Sequence, residues 1–488
     1  MITFIISLLL LILGYIFYGA LVDRVFGADP QRQTPCYASQ DGVDYLPMPT
    51  WKVFLIQFLN IAGTGPIFGA IQGILFGPSA YLWIVLGCIF GGAVHDYMAG
   101  MISLRKNGAS LPEIVGDNLG QVVRVVMRVL SLVLMVLVGA VFVTTPADIL
   151  DGMMSDQGFL WSKNFWVIII FVYYILATLL PIDKLIGKIY PVFGCALLVM
   201  AVGVGYGVFV QAGSMPEITE AFSNHHPASA MPIFPGLCIT IACGAVSGFH
   251  ATQSPMMARC LKTERHARPI FYGAMVAEGI VALIWAAAAI AFTGGYEGLQ
   301  EYVGSASPAI LVDNLSKSWL GTFGGILAIL GVVAAPITTG DTALRSARLI
   351  AADFMNIKQK KLIKRLAISI PIFGLCFIVM LLPYDALWRY FAWCNQILAV
   401  FTLWTATVWL AKENKFYYIS MIPALFMTCV TVTYIFFAPE GFPAITRVLW
   451  NTDIPYAVAL MMGLLACGAS LACFRKYIAN YKSVLSLQ

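Results

Sequence analysis

The chain has 488 residues, of which 60% are hydrophobic and 11% are charged. Soluble domains carry about 25% charged residues, so this chain lacks the charge to cover several soluble domains, and we predict one all-α polytopic membrane domain over residues 1–488. The formal net charge of +5 is small, which excludes nucleic acid as a partner and leaves the lipid bilayer.

Apolar stretches long enough to cross a bilayer recur along the chain. The first stretch lacks a basic N-terminal region and a small-residue cleavage site, so we predict a retained helix and not a signal peptide. We expect about thirteen transmembrane helices, near residues 2–22, 52–76, 79–102, 122–143, 164–180, 189–210, 233–257, 270–293, 321–344, 364–382, 386–410, 417–437 and 455–474.

Basic residues concentrate in alternate loops, while the other loops carry Asp148, Asp151, Glu217 and Glu220. The basic set includes Arg24, Arg105, Lys106, Arg259, Lys262, Arg265, Arg268, Arg345, Arg348, Lys412, Lys415 and Arg475. This bias predicts a multi-pass protein of a cytoplasmic membrane, with its N-terminus outside and its C-terminus in the cytoplasm. The run from Arg259 to Arg268 fits lipid contact, and the alternative for Arg259 is a gate at the inner mouth.

Two predicted spans contain several helix breakers each, at residues 60–69 (NIAGTGPIFG) and 244–255 (GAVSGFHATQSP). Glycine costs about 1 kcal/mol and proline about 3 kcal/mol inside a helix, so both segments are predicted to unwind. Unwound backbone at membrane depth is buried in protein or lines a cavity. The alternative is that these small residues serve close helix packing.

Each break begins a unit of five predicted spans. Because five is odd, the second unit enters the membrane from the opposite side, which predicts a 5+5 inverted repeat with the site between the broken helices. The predicted parts are an extra N-terminal helix with a cytoplasmic loop (1–50), the first repeat (51–210), the inverted second repeat (233–410) and two C-terminal helices with a short tail (416–488).

Several motifs resemble the carbon starvation protein A family. They are IAGTGP at 61–66, LWI at 82–84, GGAVHD at 91–96, SLR at 103–105, GAS at 108–110, SGFH at 247–250 and PITTGDTALR at 336–345. The resemblance implies a leucine-transporter-like fold and uptake of peptides or pyruvate during carbon starvation, driven by proton or sodium symport. The chain departs from longer members at Ile56 and Gln57 and over residues 251–255, beside the expected site.

The broken helices offer free backbone N–H groups and half-helix N-termini, which suit a carboxylate on a small-molecule substrate. His250 is expected either to bind substrate or to pack with its ring bonded to backbone. The predicted substrate-binding residues are Asn60, Gly63, Thr64, Gly65, Ser247, His250, Thr252, Gln253 and Ser254.

The coupling ion is expected to be H⁺ or Na⁺. Thr338 and Thr339, with carbonyls at Ala62 and beyond, resemble the sodium site of leucine-transporter-like proteins. Asp341 is either a proton carrier or the partner of Arg345, four residues along the same helix.

Three other residues are candidates for ion coupling. Glu278 is a lone carboxylate in an apolar span and a candidate proton site. His95 and Asp96 form either a proton relay or a structural network with Arg105, since neighbours on a helix do not face each other.

The chain lacks the motifs of several other protein classes. A clustered acid–base or metal motif is absent, so we predict no enzyme activity, catalytic residue, metal or cofactor. Most of the 11 cysteines lie in apolar stretches and are expected to be small apolar fillers. His225 and His226 fit a solvated loop better than a metal site.

The alternative functions are a non-transporting starvation sensor and a transporter of another small metabolite. The sequence predicts no oligomeric state.

Overall fold

The computed structural model describes residues 1–154, 162–179, 186–211, 215–220, 222–227, 231–305, 308–359, 361–382 and 384–485. These residues form helices and connecting segments without a strand. In a bilayer a helix satisfies its own backbone hydrogen bonds, which is why apolar runs of this length become helices. The predicted all-α fold class is confirmed.

The helices before residue 212 include a bent pair, α2 and α3. A one-turn helix, Pro35–Ala38, lies in the loop between α1 and α2. The longer helices are α1 (Ile2–Phe26), α2 (Thr50–Ala62), α3 (Gly65–Phe76), α4 (Ser79–Arg105), α5 (Leu111–Leu119), α6 (Gln121–Met154), α7 (Lys163–Leu179) and α8 (Ile186–Gln211).

The helices after residue 230 begin with a second interrupted pair, α9 and α10. They are α9 (Ile233–Thr240), α10 (His250–Ala258), α11 (Glu264–Thr293), α12 (Tyr296–Ser305), α13 (Pro308–Ala328), α14 (Ala334–Phe354), α15 (Leu362–Val379), α16 (Tyr384–Lys412), α17 (Tyr418–Phe437), α18 (Phe442–Trp450) and α19 (Tyr456–Leu485).

Within the described residues, ten helices are long and apolar enough to span a membrane, or eleven when the bent pair is counted as one span. The predicted span near 164–180 corresponds to a shorter apolar helix, Lys163–Ala177. Position 180, the last of the predicted span, lies outside the described residues. The predicted span at 233–257 corresponds to the interrupted pair α9 and α10. The count of thirteen therefore stays a prediction.

Both predicted helix breaks are present. The first follows Ala62, where Gly63 has φ 2° and ψ −140°, and the axes of α2 and α3 differ by 51°. The second occupies residues 241–249, between α9 and α10. The expected unwinding is wrong over 60–62, 65–69 and 250–255. These residues are helical, because α2 extends to Ala62, a π-helical turn occupies Gly65–Gly69, and α10 is helical through Pro255. A proline is tolerated inside a buried membrane helix when neighbouring groups satisfy the freed carbonyl.

The second break packs tightly because two glycines let backbone approach backbone. A Cβ atom on Gly92 of α4 would lie 2.0 Å from the carbonyl oxygen of Ala245. A Cβ atom on Gly248 would lie 2.2 Å from the carbonyl oxygen of Asn395 in α16. Any side chain at either position would force the break away from its neighbours.

The loop over residues 27–49 closes one end of the helix bundle. The backbone N–H of Asp29 donates to Glu264 (2.7 Å), and the N–H of Met48 donates to the carbonyl of Cys260 (3.2 Å). Arg105, at the end of α4, also contacts Glu264 (3.1 Å). The loop over residues 27–49, the end of α4 and the segment before α11 therefore lie together at one end of the bundle. This end carries several of the basic loops, and we call it the loop face.

The opposite face carries the acidic segment that contains Glu217 and Glu220. The N–H of Ile218 donates to Thr3 (2.9 Å), and the N–H of His225 donates to the carbonyl of Leu75 (2.8 Å). The start of α1 and the segment before α9 therefore lie together, away from the loop face.

Candidate functional site

Four ionisable side chains meet in the interior, where α4, α10 and α11 pack together. His250 Nδ1 lies 3.0 Å from Asp96 Oδ2, and His95 Nδ1 lies 2.8 Å from Asp96 Oδ1. His250 Nε2 lies 3.5 Å from Glu278 Oε2. All four side chains are fully buried, and we call His95, Asp96, His250 and Glu278 the acid–histidine cluster.

Two expectations about this region are wrong. The neighbours His95 and Asp96 do contact each other, because Nδ1 is the ring nitrogen nearest the backbone and reaches the next carboxylate. Arg105 does not join them: its guanidinium contacts Glu264 (3.1 Å) and lies 4.5 Å from the ring centre of Phe26.

Several atoms of the cluster lack a hydrogen-bond partner among the described residues. They are Nε2 of His95, Nε2 of His250 and both carboxylate oxygens of Glu278. More than about 90% of buried polar groups in proteins are hydrogen-bonded. An interior with this many unpaired groups is typical of a site that receives a ligand or ion.

The first break contributes a second group of buried polar side chains. Gln57 Nε2 donates to Ser254 Oγ (3.3 Å) and so joins α2 to α10. Both amide atoms of Asn60 and the hydroxyl of Thr64 have no partner among the described residues. Gln57 was not among the predicted site residues, although a glutamine inside an apolar span was a signal for it.

The predicted substrate-binding residues of α10 divide between two sides. His250 and Ser254 face the first break and the acid–histidine cluster. Thr252 instead lies 3.4 Å from the sulfur of Met135 in α6, and its carbonyl accepts from Ser346 of α14 (3.2 Å). Gln253 Nε2 lies beside the Thr252 hydroxyl (3.0 Å).

The backbone at the start of α10 is already hydrogen-bonded. The N–H groups of His250, Ala251 and Thr252 donate to carbonyls three residues earlier, at 3.3, 3.2 and 3.0 Å. The expectation of free N–H groups at this half-helix is therefore wrong, because a tight turn precedes the helix.

Polar side chains from other helices hold the second break. Asn395 Oδ1 accepts from the N–H of Phe249 (2.6 Å) and from the Ser247 hydroxyl (3.2 Å). Gln396 Nε2 donates to the carbonyl of Val246 (3.2 Å), and Trp83 Nε1 donates to that of Ile241 (2.9 Å). Sequence reasoning missed Asn395 and Gln396, although a polar pair inside an apolar span could have revealed them.

Thr339 lies against the first break, next to the carbonyl of Leu59. Its hydroxyl lies 3.1 Å from that oxygen and 2.9 Å from the carbonyl of Ala335. A Cβ atom on Gly63 would lie 3.4 Å from the same hydroxyl. The Thr338 hydroxyl donates to Ala335 (2.7 Å), so the two threonines share an acceptor on their own helix.

Asp341 faces two tyrosines of other helices. Tyr190 donates to Asp341 Oδ2 (2.5 Å), and the hydroxyl of Tyr173 lies 3.5 Å from the same oxygen. Arg345, its expected partner in one alternative, contacts Asp44 of the loop (3.2 Å). Neither the tyrosines nor Asp44 was predicted, since all are distant in sequence.

Asp44 is bound by two buried arginines of α14. Arg345 contacts it at 3.2 Å and Arg348 at 3.3 Å, and we call Asp44, Arg345 and Arg348 the arginine–aspartate cluster. Burial raises the pKa of Asp44, but the positive charges of Arg348, Arg345 and Arg259 outweigh it and hold this pKa below its usual value.

Arg259 is also buried, with 3% of its surface exposed. Its guanidinium lies 5.0 Å from the ring centre of Tyr45, and its Nε donates to the carbonyl of Gly108 (2.8 Å). The expectation that it contacts lipid is therefore wrong. A cavity of about 910 Å³ on the loop face includes Arg259 in its lining.

His225 and His226 pack on aromatic rings. The His225 ring stacks on Tyr296 at 3.9 Å, and the His226 ring stacks on Phe76 at 4.6 Å. They lie on the face opposite the loop face, away from the acid–histidine cluster.

The chain matches a known family over most of its length. Residues 1–152, 143–306 and 303–434 match the model of the family described as carbon starvation protein CstA. An uncharacterised membrane protein of Haemophilus influenzae is 45% identical over 349 residues, which cover 62% of this chain and 94% of that protein.

Two other relatives carry functional names. The peptide transporter CstA of Bacillus subtilis is 31% identical, with 58% of this chain and 57% of that protein covered. The pyruvate/proton symporter BtsT of Escherichia coli is 27% identical, with 56% of this chain and 46% of that protein covered. The chain thus spans about half the length of these two relatives. Both relatives are named as transporters and neither as an enzyme.

Among solved structures, the fold is similar to that of Mhp1, a nucleobase-cation-symport-1 family transporter, in a closed conformation. The TM-score is 0.53 and the sequences are 13% identical, with 93% of this chain and 96% of the Mhp1 chain covered. The likeness extends over nearly the whole of both chains, so the two chains share a fold.

Proposed function

Because this chain belongs to the carbon starvation protein CstA family, we propose that it is a secondary active transporter of small organic solutes. The substrates would be peptides or pyruvate-like carboxylates, imported by proton or sodium symport under carbon starvation. The names of the Bacillus subtilis and Escherichia coli relatives support these two substrate classes.

The observation that carries the proposal is the meeting of two broken helices at a buried polar layer. Gln57 and Ser254 join the first broken helix to the second (3.3 Å). Around this contact, Asn60, Thr64 and His250 have polar atoms without a partner among the described residues. Each unpaired buried polar group costs about 1–3 kcal/mol, so a polar substrate bound here would remove that cost.

The architecture proposed around this layer is the 5+5 inverted repeat, with units 51–210 and 233–410 and thirteen spans. Support comes from the breaks themselves, because each unit begins with an interrupted helix and the two interrupted helices contact each other. Residues 1–50 and 416–488 would add the flanking helices.

Within this layer, Asn60, Gly63, Thr64, Gly65, His250 and Ser254 are the proposed substrate contacts. An amide and a hydroxyl each donate and accept hydrogen bonds, so Asn60 and Thr64 suit both a carboxylate and a peptide group. Ser247, Thr252 and Gln253 contact other helices, Gln253 through the sulfur of Met135 (3.9 Å), and we assign them to the support of the second break.

Two coupling sites remain alternatives. Sodium prefers oxygen ligands, as other hard cations do. The hydroxyl of Thr339 lies 3.1 Å from the carbonyl oxygen of Leu59 at the first break, and Thr338 is its neighbour on the same helix. A proton could instead be carried by Asp341, whose Oδ1 atom has no partner among the described residues. His95, Asp96 and Glu278, which lie around His250, remain further proposed residues for proton coupling.

The proposed topology has the loop face in the cytoplasm of a bacterial inner membrane and the start of α1 outside. The basic connections gathered on the loop face support this orientation. The end of α19 would then lie on the cytoplasmic side.

The test is uptake of a labelled dipeptide and of labelled pyruvate into proteoliposomes, under an imposed proton or sodium gradient. We expect gradient-driven accumulation of one of the two solutes. His250→Ala should reduce this uptake at least tenfold, because it removes a central contact of the polar layer. The matched control is His225→Ala, which alters a histidine outside the layer and should leave uptake unchanged.

Either of two results would contradict the proposal. One is no gradient-dependent accumulation of either solute by protein that is folded and monodisperse. The other is an equal loss of uptake in both histidine variants, which would show that the effect does not come from the polar layer.

A further inference from the structure

Three side chains of metal-binding type point at one another beside the second break. Cys243 lies in the break, His250 begins α10, and Glu278 lies in α11; one ligand atom from each lies within 4.8 Å of the other two. All three residues are buried. We propose that Cys243, His250 and Glu278 form a binding site for a borderline-soft divalent metal ion, with Zn²⁺ as the preferred ion.

The spacing of two of the ligand atoms already fits a tetrahedral ion. Zinc lies about 2.0–2.2 Å from histidine nitrogen and carboxylate oxygen, which places two such ligands about 3.4 Å apart. The observed distance from His250 Nε2 to Glu278 Oε2 is 3.5 Å. Cys243 belongs to the irregular segment 241–249. Its sulfur lies within 4.8 Å of a ligand atom of each of the other two residues and 3.7 Å from the Ser247 hydroxyl.

The same atoms lack other partners. Nε2 of His250 and both carboxylate oxygens of Glu278 make no hydrogen bond within the described residues. Glu278 faces the His250 ring at 3.5 Å, and a carboxylate without hydrogen bonds in the protein interior is strongly unfavourable. A cation between these groups would compensate the charge of Glu278 and use the free lone pair of His250.

The surroundings of His250 are those of a metal-binding histidine. Such a histidine usually donates its other ring nitrogen to a carboxylate, which fixes the ring and leaves one nitrogen for the ion. Here His250 Nδ1 lies 3.0 Å from Asp96 Oδ2, so Nε2 faces the ion. His95 contacts the other oxygen of Asp96 (2.8 Å) and holds that carboxylate in place.

The ligand types select the class of ion. A thiolate, an imidazole and a carboxylate favour Zn²⁺ and related transition metals, whereas Mg²⁺ and Ca²⁺ require oxygen ligands. Three protein ligands leave a fourth position open. The site adjoins the first break, because a Cβ atom on Gly65 would lie 2.4 Å from the sulfur of Cys243.

Metal binding is tested on the purified full-length protein in detergent and needs no transport assay, so it can fail independently of the proposed function. Zn²⁺ binding is measured by calorimetry, with Mg²⁺ as the control ion, and Co²⁺ binding by the near-ultraviolet absorption of a cobalt–thiolate bond. We expect one Zn²⁺ per chain, no heat from Mg²⁺, and a cobalt–thiolate band.

Two variants locate the site. Cys243→Ser should abolish the cobalt–thiolate band and weaken Zn²⁺ binding at least tenfold. The matched control is Cys238→Ser, a buried cysteine of α9 outside the three-residue group, which should keep the band. Glu278→Gln has nearly the same size but no charge, and it should also weaken Zn²⁺ at least tenfold.

The proposal is overturned if the unaltered protein binds no Zn²⁺. It is equally overturned if Cys243→Ser and Glu278→Gln bind Zn²⁺ as tightly as the unaltered protein. Should Cys243→Ser fail to fold, as judged by size-exclusion chromatography, Glu278→Gln against Cys238→Ser decides the question.

Discussion

The acid–histidine cluster and the arginine–aspartate cluster are both buried groups of charged side chains, yet they differ in how their atoms are paired. In the arginine–aspartate cluster, both oxygens of Asp44 accept hydrogen bonds from arginines of α14. In the acid–histidine cluster, both oxygens of Glu278 and one ring nitrogen of each histidine have no such partner in the described chain.

This difference in pairing indicates a structural role for the arginine–aspartate cluster and a binding role for the acid–histidine cluster. A buried charge with well-placed opposite charges can be stable by itself, and Asp44 attaches the loop over residues 27–49 to α14. A buried charge without partners requires a ligand, an ion or a proton to be stable. We therefore expect changes in the first kind of cluster to reduce stability, and changes in the second kind to reduce binding.

The largest expected effect is that of Asp44→Ala. Removing one partner of a buried ion pair costs about 3–5 kcal/mol, because the other charges stay buried without compensation. The measurement is thermal unfolding of detergent-purified protein, followed by tryptophan fluorescence. The matched control is Asp313→Ala, which removes a more exposed pair with Lys317 (2.6 Å) and should cost at most about 1 kcal/mol. An equal decrease of the melting temperature in the two variants would mean that Asp44 does not attach the loop to α14.

The next effect is that of Gly65→Ala, at the contact between the first break and Cys243. The added Cβ atom would lie 2.4 Å from both Cβ and Sγ of Cys243, and such overpacking costs about 1–3 kcal/mol. We expect a lower melting temperature and weaker Zn²⁺ binding together. Gly468→Ala is the control, since nothing lies within 4 Å of its Cβ position. A melting temperature equal to that of the control would show that the two breaks do not pack closely.

A smaller effect is expected for Thr339→Ala if sodium is the coupling ion. The hydroxyl next to the Leu59 carbonyl (3.1 Å) would be lost, and we expect the sodium concentration for half-maximal uptake to rise about tenfold, or about 1.4 kcal/mol. Thr342→Ala is the control, because its hydroxyl contacts only carbonyls of its own helix in the described contacts. Identical sodium dependence in both variants would favour the proton alternative at Asp341.

The smallest effect is the pH dependence of the arginine–aspartate cluster. The charged groups around Asp44 include Arg345, Arg348, Arg259, Asp41 and Asp353. Because the folded-state pKa of Asp44 is lowered, its contribution to stability is complete above the unfolded-state pKa of about 3.9 and is lost as the pH falls through the folded-state value. The difference in melting temperature between the unaltered protein and Asp44→Asn should therefore be constant from about pH 5 to pH 8. A difference that shrinks within this range would contradict the lowered pKa.

Much of the fold was predictable because membrane helices leave strong local signals. Long apolar runs predicted most helices, and the glycine-rich segments predicted both breaks. The extent of the second break was not predictable, because Pro255 reads as a helix breaker while the packing around α10 keeps it helical.

The candidate site was predictable only in part. His250, Asn60 and Thr64 stood out as polar residues beside helix breakers. Cys243 could not be recognised as a candidate ligand, since its partners His250 and Glu278 come from other segments and no spacing motif joins the three.

The sequence by itself determined the membrane class, the helical fold and the two interruptions, because hydropathy and the backbone preferences of glycine and proline act locally along the chain. The tertiary structure decided which charged groups are paired. Asp44 meets arginines about 300 positions later, while Glu278 meets the ring of His250 and the thiol of Cys243. Pairing depends on which helices pack side by side, and this is a property of the whole bundle.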